Sequence, residues 1–116
     1  GGPMVQHSLN AMFEHHLNNR ISLEKIVEKM CHNPAILFRI KNRGFVRKNY
    51  FADLVVLDPN QSYVVDKSNI LYKCGWSPFQ GKKFNSVVTH TIVNGNLVYE
   101  NGIIDESFRG SKITFQ

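Results

Sequence analysis

The sequence predicts an α+β fold, in which an N-terminal helical hairpin is followed by a small, mainly antiparallel β-sheet. Two observations predict it. Apolar residues recur at helical spacing up to about residue 40, and two Asn-Gly pairs, Asn94-Gly95 and Asn101-Gly102, then separate β-rich segments. Asn-Gly is favoured in two-residue hairpin turns because both positions take positive φ. The chain has 116 residues, enough for one small domain with a modest core.

The first predicted helix spans residues 4–19 and is amphipathic. Its apolar face is made of residues at helical spacing, namely Leu9, Met12, Phe13 and Leu17. Asn18-Asn19 is a suitable stop. The hairpin turns there, and a second helix is predicted to begin just after Ser22.

Ser22 is a good N-cap for the second helix, and Glu24 complements the helix dipole in its first turn. Its apolar face is predicted from Leu23, Ile26, Val27 and Met30. We expect this helix to end at Asn33, because a residue before proline avoids the helical region. Pro34 then suits the first turn of a short third helix that reaches Phe38.

Beyond residue 44 the pattern predicts strands. Phe45-Val46 is expected to be a short strand followed by a turn, and the continuous apolar run of residues 54–57 a strand buried on both faces. Residues 63–65 form another short strand, and residues 66–83 are irregular. Residues 87–93, 96–100 and 103–104, joined by the two Asn-Gly turns, predict a three-stranded meander.

Composition excludes several classes of function. The apolar fraction of 42% and charged fraction of 20% are typical of globular domains, so extensive disorder is not expected. The net charge is +5, but the basic residues form no single stripe with interleaved aromatics, and we predict no nucleic-acid partner. No apolar run approaches the roughly 20 residues of a membrane span, and no membrane partner is predicted. Two unpaired cysteines favour a cytoplasmic location.

The sequence shows no constellation of catalytic or metal-ligating residues. His15 and His16 are neighbours on a helix, so their side chains diverge by about 100° and do not suit one metal ion. HExxH and HxH pairs are absent. Cys31 falls in an apolar helical pattern and is expected to be buried, and His90 stands alone in a strand. We therefore predict no catalytic and no metal-binding residue within this chain.

Five segments, in order along the chain, together resemble the C-terminal third of dihydroorotases, members of the cyclic amidohydrolase group. They are residues 1–6, residues 21–28 leading into Asn33-Pro34-Ala35, residues 50–59, residues 75–81 and residues 87–99. Asn-Pro-Ala and Ala-Asp-Leu-Val occur in many amidohydrolases. Trp76-Ser77-Pro78-Phe79 is more specific to dihydroorotase. One departure is the absence of a glycine shortly before Ala52-Asp53.

The resemblance implies an enzyme of pyrimidine biosynthesis. In such enzymes a (β/α)₈ barrel holds one or two divalent metals, usually zinc, and a metal-bound hydroxide interconverts dihydroorotate and N-carbamoyl-aspartate. None of the family's metal-binding motifs maps onto this chain. What maps is Gly1, which corresponds to a loop glycine whose backbone contacts the substrate in relatives. A terminal glycine also frays readily, which is the competing interpretation.

The resemblance also implies a division of the chain. Residues 1–40 correspond to the last helical layer of the barrel, and residues 41–116 to part of a β-sandwich beside it. The opening Gly1-Gly2-Pro3 is not a natural start, so a C-terminal fragment is expected, with tag glycines as the alternative. Zinc is expected in the full-length enzyme, and none in this fragment, which is predicted to be inactive alone.

Three alternatives stay open from the sequence. The parent could be another cyclic amidohydrolase, such as an allantoinase or a dihydropyrimidinase. It could also be a dihydroorotase-like structural subunit without metal ligands. An independent basic interaction module would need a clustered positive face, which the sequence does not show. The uncovered apolar faces of such a piece predict a homo-oligomer.

Overall fold

A computed structural model describes residues 1–116, and it confirms two helical segments followed by a small antiparallel sheet. The helical elements are a 3₁₀ turn at Val5–His7, α1 (Ser8–Leu17), α2 (Leu23–Val27), a π-helical turn at Glu28–His32 and α3 (Asn33–Leu37). The strands are β1 (Leu54–Asp58), β2 (Tyr63–Val64), β3 (Lys83–Phe84), β4 (Val87–Val93), β5 (Asn96–Glu100) and β6 (Ile103–Ile104). None of the helices is both long and apolar enough to cross a membrane.

Contacts divide the chain into two compact units. The first unit comprises residues 1–21 and 58–87, and the second comprises residues 22–57 and 88–116. The first contains α1 and the two-stranded pairing of β2 with β3, and its core includes the buried side chains of Phe13, Val65 and Phe84. The second contains the α2–α3 helical segment and most of a four-stranded sheet.

Helix α1 contacts its unit through a polar stripe as well as an apolar one. Asn10 is buried, and its Nδ2 donates to the carbonyl and hydroxyl oxygens of Ser86 at 2.9 and 3.0 Å. One turn later, the Glu14 carboxylate accepts hydrogen bonds from Asn85. Phe13, which lies between Asn10 and Glu14 in the sequence, is buried, whereas Leu17 is exposed. The predicted helix is confirmed. It contacts the rest of its unit through these hydrogen bonds as well as through the apolar packing that the sequence pattern predicts.

The sequence predicts that the second helical segment ends at Asn33. This prediction is wrong, because the chain stays helical beyond that residue. Ser22 caps the segment by accepting from the N–H of Lys25 at 3.2 Å, and the chain stays helical through the π turn into α3. In that turn the N–H of Asn33 donates to the Glu28 carbonyl, five residues back. A proline in a regular helix clashes with the carbonyl four residues before it. The wider π turn opens this space, so Pro34 fits in the first turn of α3.

The predicted meander is confirmed. Strands β4, β5 and β6 pair antiparallel in that order, with Val93 opposite Asn96 and Glu100 opposite Ile103. Both Asn-Gly turns have positive φ at both positions, 51° and 81° at Asn94-Gly95. The register shifts by one residue between Thr91 and Ile92, where β5 has an extra residue, Val98, opposite β4.

Strand β1 is confirmed, but its predicted burial on both faces is wrong for this chain. It lies at the edge of the sheet, in the order β1-β4-β5-β6, and Leu54, Val55 and Val56 are all exposed. An edge strand has one paired side only, and no second layer of this unit covers its apolar side chains.

Two smaller predictions are also corrected. Phe45-Val46 is not a strand, because Phe45 stacks on His32 and the chain turns at once, with Tyr50 donating to the Arg47 carbonyl. Cys31 is exposed, not buried. The apolar pattern of its helix is only partly covered in this chain, where Ile26 and Ala35 are the buried residues of that segment.

Candidate functional site

The N-terminal segment, residues 1–7, contains Gly1, the one substrate-binding residue that the sequence suggests. Gly1 is exposed, and a side-chain atom added there would meet nothing within 4 Å. Residues 1–5 are exposed or half-buried, and they are followed by the half-buried Gln6 and the fully buried His7. The placement of Gly1 therefore depends on how the next residues are held.

Gln6 fixes the segment to the loop of residues 69–79 through three hydrogen bonds. Its side-chain amide donates from Nε2 to the Asn69 carbonyl at 2.7 Å and accepts at Oε1 from the N–H of Leu71 at 2.9 Å. Its backbone N–H donates to the hydroxyl of Tyr72 at 2.6 Å. The amide thus pairs with the loop backbone as a neighbouring strand would.

His7 is the most enclosed polar residue of this segment, with 0% of its surface exposed. Its Nδ1 lies 3.2 Å from the Ser77 hydroxyl oxygen, and Nε2 is buried without a hydrogen-bond partner. The imidazole stacks on Phe84, with ring centroids 6.0 Å apart, and meets the Phe79 ring edge-on at 5.9 Å. Tyr72 makes a further edge contact at 6.1 Å.

Burial lowers the pKa of His7 below its ordinary value, because desolvation penalises the charged imidazolium. The ring is therefore neutral at neutral pH. A histidine with no exposed surface cannot touch a substrate or exchange protons directly with solvent. The arrangement holds the N-terminal segment against the loop.

The other histidines are placed as isolated residues. His16 contacts the Ile21 carbonyl, His32 the Gly44 carbonyl, and His90 lies beside Thr89 and 3.5 Å from a Glu100 carboxylate oxygen. No group of three or more His, Cys, Asp or Glu side chains in residues 1–116 lies close enough to hold a metal ion. At the surface, the Glu28 carboxylate lies 2.6 Å from the Lys25 Nζ and 3.9 Å from the Lys29 Nζ.

Sequence reasoning missed the pairing of Gln6 and His7 with the loop. Residues 1–6 and 75–81 both carry the family resemblance, but nothing in either segment says that they touch. The available signal was indirect, since a histidine and a glutamine directly before an amphipathic helix need partners if they are buried. Their partners lie more than sixty residues away in the sequence.

The comparisons with known proteins agree on one family. The Amidohydrolase family matches residues 2–98. Curated relatives include the dihydroorotase of Endomicrobium trichonymphae, 40% identical over 80 residues, and that of Pyrococcus furiosus, 37% identical over 93 residues. These alignments cover 69% and 80% of this chain, but only 19% and 22% of the relatives. The chain thus spans about a fifth of the length of the curated relatives it matches.

Solved structures show the same architecture. An L-hydantoinase (dihydropyrimidinase) from Arthrobacter aurescens is 35% identical, with a TM-score of 0.79 over 90% of this chain and 24% of its own. A D-hydantoinase with a TM-score of 0.82 is 24% identical and covers the same share of this chain, which supports the fold. By its sequence match over residues 2–98 and by its fold, the chain belongs to the amidohydrolase family.

Proposed function

We propose that this chain is the C-terminal part of a dihydroorotase, the enzyme that interconverts dihydroorotate and N-carbamoyl-aspartate in pyrimidine biosynthesis. The observation that carries the proposal is the series of dihydroorotases among the curated relatives, at 33–40% identity over 80–96 residues. The Trp76–Phe79 segment, the part of the resemblance most specific to dihydroorotase, supports it further. This segment includes Ser77 and Phe79, which contact His7.

In this proposal the chain supplies scaffold, and the chemistry lies elsewhere in the full-length enzyme. Residues 1–40 would close the barrel's last helical layer, and residues 41–116 would contribute to the β-sandwich. Zinc would be held by residues outside this chain, and the backbone of Gly1 would contact the substrate. The chain alone would be inactive. The two free, exposed cysteines suit a reducing cytoplasm.

A second candidate is a cyclic amidohydrolase that acts on another ring. The 35% identity to an L-hydantoinase favours it, because this value lies within the range of the dihydroorotase relatives. Both candidates share a cyclic amide substrate. They differ in the ring, which residues beyond this chain would select.

Two chimeras test the proposal. In one, this chain replaces the matched C-terminal segment of the Pyrococcus furiosus dihydroorotase, and in the other that of the Arthrobacter aurescens L-hydantoinase. Each barrel without its C-terminal segment is the control. We expect the first chimera to form carbamoyl aspartate from dihydroorotate. We expect the second chimera to show no hydantoinase activity. Activity only in the hydantoinase chimera would favour the second candidate, and activity in neither would overturn the assignment.

The inactivity of the chain alone has its own test. Metal analysis of the purified chain and an assay for carbamoyl aspartate are expected to show neither stoichiometric zinc nor turnover. Stoichiometric zinc accompanied by turnover would contradict the scaffold role.

A further inference from the structure

We propose that His7 is a positioning residue: as a neutral imidazole it holds residues 1–6 on the loop of residues 69–79, and its protonation in mild acid releases them. The proposal concerns the conformation of this chain. Its relevance to substrate binding rests on the proposed function, in which residues 1–6 carry Gly1.

The hydrogen-bond inventory around the ring favours a neutral imidazole. The Ser77 hydroxyl oxygen already accepts from the N–H of Phe79 at 3.2 Å. Its own proton is then free to be donated to Nδ1 of His7, 3.2 Å away. The second ring nitrogen, Nε2, would carry the remaining proton and face the surrounding aromatic rings, where an N–H can make a weak contact with a π face.

A second proton would have no favourable place in this site. The ring's contacts are with Tyr72, Ser77, Phe79 and Phe84. No carboxylate is among them, so an imidazolium would be buried without a counter-charge. Nδ1 would also become a donor, and the Ser77 proton would have to turn away.

Release of residues 1–7 from the loop would expose the charged imidazole to water and would break few contacts. Within residues 1–7 only His7 is buried, and the three hydrogen bonds of Gln6 also connect this segment to the loop. Moving His7 into water requires Gln6, its neighbour, to move as well. Since Phe13 and Asn10 still hold α1, the opening would be confined to the start of the chain.

The test measures amide hydrogen exchange at Gln6 and Leu71, whose N–H groups donate across the contact. Protection is expressed relative to each amide's intrinsic exchange rate at about pH 7.5 and about pH 5, on either side of the ordinary histidine pKa. We expect protection of both amides to fall by up to about tenfold per pH unit between the free and buried pKa values of His7, as one linked proton dictates. The Asn101 amide, bonded to Thr89, is expected to keep its protection.

Two variants separate positioning from general packing. His7→Phe keeps an aromatic ring but cannot titrate, so protection at Gln6 and Leu71 should no longer depend on pH. His15→Gln, at an exposed position of α1, should behave as the wild type. Because Trp76 is the one tryptophan and precedes Ser77, its fluorescence should report the same transition.

The outcome that overturns the proposal is wild-type protection at both amides that does not change with pH. If His7→Phe fails to fold, the wild type alone still decides, since protection must start to fall near the ordinary histidine pKa and the His7 ring must be charged in NMR spectra once protection is lost. A neutral His7 ring after protection is lost would contradict the proposal. No substrate enters this experiment, so its failure is distinguishable from failure of the chimeras.

Discussion

The carboxylate of Asp53 accepts a hydrogen bond from the backbone N–H of Asn94, with 2.8 Å between Oδ1 and N. Next to it, the N–H of Gly95 donates to the Ala52 carbonyl at 3.0 Å. The other oxygen of Asp53 pairs with Arg43, whose guanidinium also donates to the Asn94 side chain at 2.9 Å. The Ala-Asp pair of the family resemblance therefore anchors the first hairpin turn of the meander.

We predict that Asp53→Ala destabilises the chain by about 1–3 kcal/mol, because it removes the acceptor for Asn94 and leaves a largely buried guanidinium without its carboxylate. Urea unfolding followed by circular dichroism measures the loss. Asp105→Ala is the matched control, since this exposed carboxylate accepts only from Ser107 in the structure, and its effect should stay within about 0.5 kcal/mol. Equal effects of the two substitutions would contradict the anchoring role.

We predict that Gly95→Val destabilises through the backbone. A side chain at Gly95 meets nothing within 4 Å, but φ is +81°, a conformation that a β-branched residue resists. The expected cost is at least about 1–2 kcal/mol. Gly110→Val is the control, at a glycine without positive φ. Thermal unfolding compares them, and an unchanged midpoint for Gly95→Val would contradict the assigned strain.

The lowered pKa of His7 predicts how stability depends on pH. The unfolded chain, with an ordinary histidine pKa near 6.5, binds this proton before the folded chain does. The free energy of unfolding should therefore fall as pH drops through about 6.5 and level off below the folded pKa. The hydrogen bond from Ser68 lowers the pKa of Asp66, whose effect is confined to more acidic pH. Urea midpoints measured from about pH 8 to 5 should lose this slope in His7→Phe.

We predict that the isolated chain self-associates. Strand β1 is an exposed edge with apolar side chains, and Ile36, Leu37 and Phe38 are exposed at the end of α3. An unpaired edge is a template for another strand, and a symmetric dimer is a closed solution. Sedimentation equilibrium at micromolar concentration is expected to show association.

Val55→Lys, on the edge strand, should weaken this association, because a charged side chain opposes edge-to-edge pairing. Val46→Lys, which also replaces an exposed valine but lies outside the strands, is the control. A monomer mass at every concentration would end the self-association hypothesis. Equal weakening by both variants would place the contact elsewhere than β1.

Local chemistry made much of this fold predictable. Ser22 caps a helix, Asn18-Asn19 ends one, and each Asn-Gly pair forms its turn, because these residues act on backbone groups within a few positions. The π turn before Pro34 was not predictable in this way. There the tertiary packing of Ile26 and Ala35 overrides the local preference of Asn33 for an extended conformation.

The candidate site was much less predictable. The contact of Gln6 and His7 with residues 69–79 joins segments that are more than sixty positions apart, and neither segment shows a periodicity that points to the other. Burial of β1 was overestimated for a related reason. An apolar run shows that a strand can be covered, but it does not show what covers it.

The π turn at Glu28–His32 sets which sides of this helical segment are buried. Nine positions separate Ile26 from Ala35, and in a regular α-helix they would point in opposite directions, at about 100° per residue. The π turn absorbs roughly one residue of that rotation, and both side chains are buried. Losing one residue from the turn would keep the buried sides of the two helices aligned, but it would also place Pro34 in a regular helix, where its ring clashes with the carbonyl four residues before it. Elsewhere in α2 or α3 the same deletion would rotate everything that follows it.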